Sequence, residues 1–282
     1  MTTKERAPAH AGYLDYCGPH TAPLWNVVSD PGDLEAYEDG SSLLGLPIPS
    51  TAMAVAIRAE PENETLVQRT LSSATATSYL SIPPRSACLL TKLPPSTRTL
   101  QVDGEHVAQF NKTAIFPQIE RLIGMRMRFT AQQFPSLRHL DIEVDKPSVK
   151  TVASIRNLET INLVRCKDNG ILDRIFPDRL GFIGIRGWHP NDFRSLVRFP
   201  RMRGIWIQEP RSPLDLAQLL PAADRIFELT LAYCSNIANL EKLLEFSSLT
   251  FLQLIGCGSV GIDSFRSKLI QRGVLVEASG TR

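Results

Sequence analysis

Six segments in the second half of the chain carry one pattern in one register. They are "LRHLDIEV" from Leu137, "LETINLVRC" from Leu158, "LGFIGIRGW" from Leu180, "MRGIWIQEP" from Met202, "IFELTLAYC" from Ile226 and "LTFLQLIGC" from Leu249. Each reads apolar-x-x-apolar-x-apolar, and successive starts are 21, 22, 22, 24 and 23 residues apart. A period of this length constrains the fold strongly: each unit is one supersecondary element that cannot bury its apolar face alone, so neighbours must stack. Weaker copies precede these at Thr77 ("TSYLSI"), Thr97 ("TRTLQV") and Ala52 ("AMAVAI"). "IERLIG" at Ile119 fits least, because it puts Gly124 where an aliphatic belongs and leaves 18 residues before the next start.

Alternation of the fourth and sixth positions, as in Leu140 and Ile142 or Leu252 and Leu254, is the period of a half-buried strand. The spacing then changes. Val149, Val152 and Ile155 recur at helical intervals, as do Leu216, Leu219 and Leu220, and Leu240, Leu243 and Leu244. Each unit is therefore expected to be a strand, a turn and a helix, with the strands aligned in one parallel sheet.

In this respect the chain resembles the leucine-rich repeat family in its cysteine-containing form, L-x-x-L-x-L-x-x-C. The match is literal in "LETINLVRC", followed by "KDNGILDRI", and Cys166, Cys234 and Cys257 all fall at the ninth position. The likeness runs from about Thr77 to Val276. It implies an α/β solenoid, with a curved parallel sheet on the concave side, helices on the convex side and another macromolecule bound in the concavity. It also implies that the ninth residue faces inward and helps hold the turn, so these thiols read as packing groups and weak hydrogen bonders rather than nucleophiles. Residues 51–282 are read as about nine repeats closed by the strand "VLVEA". Residues 1–50, dense in turn formers ("CGPHTAP", "SDPGD", "EDGSS"), are read as an irregular N-terminal cap.

A formal net charge of +2 gives no reason to expect nucleic acid. No apolar stretch approaches the ~20 residues that span a bilayer, and "MTTKERAPAHAGYLDYCGPH" lacks the apolar core of a signal peptide. A cytoplasmic location is expected. Five scattered cysteines form neither a disulfide framework nor a zinc motif. The sequons at Asn63 and Asn111 are then coincidental.

Two stretches invite a chemical reading. Gly256, Gly258 and Gly261 have the spacing G-x-G-x-x-G after an apolar run, and Glu277 lies 21 residues beyond the first. A strand–turn–helix repeat imitates that context by itself. The copies "LAYCSN" and "LVRCKD" fill the same slot without the glycines, and a dinucleotide fold would need further βα units after Glu277. The stretch is read as the last repeat, with no cofactor. In "HLDIEVD", His139, Asp141 and Glu143 project from one face of a strand and could hold a divalent metal or act in acid–base chemistry. Three residues on a flat strand do not enclose an ion, however, and Arg121 lies nearby, so no metal or catalytic residue is assigned. H-E-x-x-H, the P-loop and G-x-S-x-G are absent, and the histidines (10, 20, 106, 139, 189) show no ligand spacing.

Positions three, five and seven of each copy should form the outward sheet face. In the first half that face is polar, with an acidic band at Asp103, Asp141 and Glu143. In the second half it carries Phe182, Trp206 and Phe251, edged by Arg186, Gln208 and Glu228, with Gly184 and Gly204 leaving bare backbone beside Trp206. An exposed aromatic patch of this kind has the composition of an interface hot spot. The expected function is non-catalytic recognition of a protein or peptide partner, as an inhibitor, an immunity protein or a scaffold. Cysteine-type repeats also look like those of ubiquitin-ligase adaptors, but "LLGLPIPSTAMAVAI" lacks the helical pattern of an F-box. A metal-dependent enzyme using His139, Asp141 and Glu143 is the other alternative.

Overall fold

A computed structural model describes residues 24–28, 40–58, 64–188, 190 and 193–281. The elements in chain order are β1 (Leu24–Val28), β2 (Ser41–Leu43), β3 (Ala54–Ile57), α1 (Glu64–Leu71), β4 (Tyr79–Ile82), β5 (Thr99–Val102), β6 (Ala108–Gln109), β7 (Arg121–Gly124), β8 (Met127–Arg128) and β9 (His139–Glu143). They continue with α2 (Lys146–Ser154), β10 (Thr160–Val164), β11 (Phe182–Arg186), β12 (Gly204–Gln208), β13 (Leu214–Asp215), β14 (Glu228–Ala232), β15 (Ile237–Ala238), β16 (Phe251–Gly258), α3 (Asp263–Gln271) and β17 (Leu275–Thr281).

The chain is α/β. Thirteen strands form one parallel sheet in the order β17-β16-β14-β12-β11-β10-β9-β7-β5-β4-β3-β1-β2. Two of these strands, β1 and β2, lie within 1–50. The two-residue strands pair separately, β6 with β8 and β13 with β15. The repeat register is the pairing register: Leu140, Ile161, Ile183, Ile205, Leu229 and Leu252 are successive partners across five ladders. A one-residue slip would turn every such side chain to the opposite face, so the buried aliphatics hold the register.

The copy at Ile119 belongs to the same register. Leu122 pairs between Leu100 and Leu140, and Gly124 between Val102 and Ile142. The missing side chain is replaced from elsewhere: a Cβ at Gly124 would lie 2.9 Å from the Met127 sulfur, which occupies the slot.

Hydrogen bonds repeat with the period as well. The carbonyls of Arg138, Glu159, Gly181, Arg203 and Phe227 each accept two N–H groups from the next repeat, those of its second and third residues. At the other strand end the eighth residue turns left-handed: Arg165, Gly187, Glu209, Tyr233 and Gly256 have φ of 44°, 67°, 48°, 53° and 60°. The first four donate their N–H to the seventh-position carbonyl of the following repeat, at 2.7–3.0 Å. Gly256 therefore occupies the turn that the four preceding copies make, here with the Tyr233 ring packed against it.

The ninth position is a third constant. Cys234 and Cys257 donate to the sixth-position carbonyls of the preceding repeats, those of Ile207 and Leu231. Trp188 occupies the equivalent slot in its repeat, and its indole N–H donates to the Leu163 carbonyl at 2.8 Å. One geometry is thus met by a thiol or an indole.

The expected helices are realised only in part. Residues Lys146–Ser154 form an α-helix, capped by Asp145 with a reciprocal bond from Ser148 and burying Val149 and Val152. Leu216–Ala222 and Leu240–Glu245 are 3₁₀ segments instead. Their buried residues recur every three positions, Leu216, Leu219 and Ala222, then Leu240, Leu243 and Phe246, while Leu220 and Leu244 are only half-buried. That is the 3.0-residue turn, in which side chains three apart stand in line.

Trp188 is 1% exposed, so Trp188→Ala should cost about 3–5 kcal/mol. Trp188→Phe keeps most of the packing but loses the indole hydrogen bond to the Leu163 carbonyl and should cost about 0.5–1.5 kcal/mol. Urea denaturation of both variants checks the order.

Candidate functional site

The outward face of the sheet is more tightly packed on itself than its sequence suggests. Its side chains lean toward the next repeat. The Asn162 amide fills the space above Gly184, where an added Cβ would be 2.5 Å from its Oδ1, and the Phe182 ring fills the space above Gly204 at the same distance. The backbone beside Trp206 is therefore covered rather than bare. Phe182 and Trp206 are half-buried, and Phe251 is buried at 7% exposure. Phe251 lies in register between Glu228 and Leu275, so β17 takes the outer place and Leu275 is the exposed residue. Gln208 and Glu228 are also buried, whereas Arg186 is exposed.

The acidic band is largely engaged within the protein. Asp103 accepts from Ser81 Oγ at 2.6 Å and from the Gln101 amide, and lies 3.8 Å from Arg58. Glu143 is buried against Arg126 at 3.4 Å. Asp141 accepts from Asn162 Nδ2 at 2.9 Å, and the other amide atom, Asn162 Oδ1, is buried without a hydrogen-bond partner.

Burial sets the titration of this face. It pushes the Asp141 carboxyl up to about 6 against the opposing pull of Asn162 and Arg186. It pushes Glu228 up to about 7 against Arg203. It holds His139 down at about 4, helped by Arg121 and Arg138. Among the described residues no group of three His, Cys, Asp or Glu could hold a metal ion. Each of the three residues of the metal-centre alternative is engaged otherwise: Glu143 is tied to Arg126, Asp141 to Asn162, and the His139 imidazole sits near Arg121 and Arg138. His106 is exposed, while His10, His20 and His189, Cys17 and the sequon at Asn63 lie outside the described residues.

A cavity of about 630 Å³ opens where the strands of this face begin. It is lined by Arg179, Arg201, Arg203 and Arg225 together with Phe182 and Phe227. His139 also borders it, and so does the carboxylate Glu159, which is 3.6 Å from Arg138. Arg225 is held by the Val197 and Phe199 carbonyls at 3.0 and 3.3 Å. Arg179, Arg201 and Arg203 are exposed and make no ion pair among the described residues.

Two expected partner-binding residues, Phe182 and His139, thus meet at this cavity. Arg186, Trp206, Gln208 and Glu228 lie further along the face, Phe251 is sealed, and Asp103 is several strands away. The arginines escape a reading restricted to positions three, five and seven. Their signal is nonetheless periodic: Arg179, Arg201 and Arg225 each stand immediately before the first apolar residue of a repeat.

The shifts carry opposite signs in stability. Asp141 has a folded pKa above its unfolded value, so its favourable contribution is full below about 3.8 and is lost as pH rises through about 6. His139 has a depressed pKa, so its contribution is full above about 6.5 and is lost as pH falls through about 4. Asp141→Asn should therefore gain stability relative to wild type between pH 4 and 7, and His139→Gln should gain it on descending the same range. Denaturation midpoints across pH test both.

No protein-family model matches the chain, and no curated protein matches it either.

Proposed function

We propose that the chain is a leucine-rich repeat solenoid that binds a protein or peptide partner on the concave face of its sheet, without chemistry of its own. The observation that carries this reading is the half-buried Trp206, held between Gly184 and Thr230 on a polar face, with exposed Arg186 on the neighbouring strand. A large amphipathic ring held in place by its neighbours loses little entropy on binding, and such residues dominate interface energetics. The register of the repeats supports the solenoid reading, because stacked parallel units offer one extended surface. No helix of the described residues is long and apolar enough to cross a membrane. The role fits an inhibitor, an immunity protein or a scaffold.

Trp206→Asp tests the reading. Affinity capture with the variant should lose the stoichiometric protein that wild type retains, a loss of about 2 kcal/mol or more, while circular dichroism remains that of the folded chain. Equal capture of one partner by both proteins would place recognition on another surface.

A further inference from the structure

We infer that the arginine-lined cavity at the start of β10–β14 is a docking site for an acidic segment of the partner, with carboxylates on the guanidinium groups and apolar side chains against Phe182 and Phe227. The inference rests on the proposal that the chain binds a protein or peptide, and it names the chemistry of that ligand.

The placement of the arginines comes from the register. Phe182, Gly204 and Glu228 are direct partners across β11, β12 and β14. Arg179, Arg201 and Arg225 each lie three residues before one of them, so the three stack in a column at about one strand spacing, ~4.8 Å. Like charges so arranged repel each other. They lie outside the strands, and neither the core nor the hydrogen-bond ladder requires arginine there. The equivalent residues in the flanking repeats are Asn157 and Ser248. The arginines are confined to the three repeats that line the cavity.

The column is compensated only at Arg225, which lies 3.4 Å from Asp224; Arg179 and Arg201 have no such partner among the described residues. Arg203 adds a fourth guanidinium group, and the lining carboxylate, Glu159, is shared with Arg138. The backbone carbonyls and Asp224 fix Arg225 in position, so Arg179 and Arg201 carry the charge available to a ligand. Guanidinium groups bind carboxylates through paired N–H donors, which suits successive Asp or Glu side chains. Phe227, 39% exposed at the rim, and Phe182 supply apolar contact between them. A peptide is favoured over nucleic acid because the basic region is local. The chain carries only +2 overall, too little for the extended contact that a phosphate backbone makes beyond a single cavity.

The test uses the full chain and a short fluorescein-labelled peptide alternating Glu with Leu and Phe, followed by fluorescence anisotropy at low salt. Its controls are the same peptide with Gln for Glu, and a short oligothymidine. Arg179→Glu with Arg201→Glu reverses two exposed charges and leaves the core untouched, which circular dichroism verifies. The site predicts binding of the acidic peptide that weakens about tenfold or more in this double variant, and similarly for the Gln peptide or in high salt. Unchanged affinity in the double variant, no binding by wild type, or tighter binding of oligothymidine through the same arginines would overturn it. A cellular partner lost with Trp206→Asp but retained by the double arginine variant would overturn the arginine site and leave the recognition proposal standing. Peptide binding that depends on the arginines, alongside partner capture indifferent to Trp206, would support the site and reject Trp206 as the centre of recognition.

Discussion

In the six clear copies each strand buries its two aliphatic side chains only because the strand beside it does so in the same register. Nearly everything else follows from that alignment. It brings the second-position carbonyls within reach of two N–H groups from the next repeat, and it brings the eighth-position N–H groups to the seventh-position carbonyls beyond. It also delivers three ninth-position donors, Trp188, Cys234 and Cys257, to sixth-position carbonyls of the repeats before. Buried backbone groups left unmet cost free energy, so this bonding reinforces the register that the apolar side chains select.

The alignment explains which features can be read from the chain. Strand positions are legible because a half-buried strand writes its period into the sequence, and the fourth and sixth residues have no other way to escape water. The copy at Ile119 resists reading because its missing side chain is supplied by Met127, three residues beyond Gly124, and no pattern within the repeat announces that. Trp188 hides for a related reason. Its slot asks for a buried donor at a given reach, and an indole meets the requirement without resembling a cysteine. The 3₁₀ segments differ from the expected helices because apolar spacings of three and four residues coexist in both, and the short path between strands favours the tighter turn.

The outward face was harder to read. Position identifies which side chains point outward, but their exposure depends on how they lean. Asn162 over Gly184 and Phe182 over Gly204 convert two gaps into packed contacts, and β17 turns Phe251 from a surface residue into a covered one. The acids find partners too: Asp103 in a bonded chain with Ser81 and Gln101, Glu143 beside Arg126. On a face built this way Arg186 remains exposed and Trp206 half-buried.

The cavity is governed by a different rule. Residues just before each strand lie beyond the buried alternation, so the fold tolerates almost any polar side chain there, as Asn157 and Ser248 illustrate. Arginine at three successive positions of this kind sets like charges side by side, offset at Arg225 by the Val197 and Phe199 carbonyls and by Asp224. The register turns three unconnected arginines into a column of like charge beside the cavity. Side chains on such a sheet vary most where the repeat is least constrained, and the strictness of the repeat itself gives those residues their common geometry.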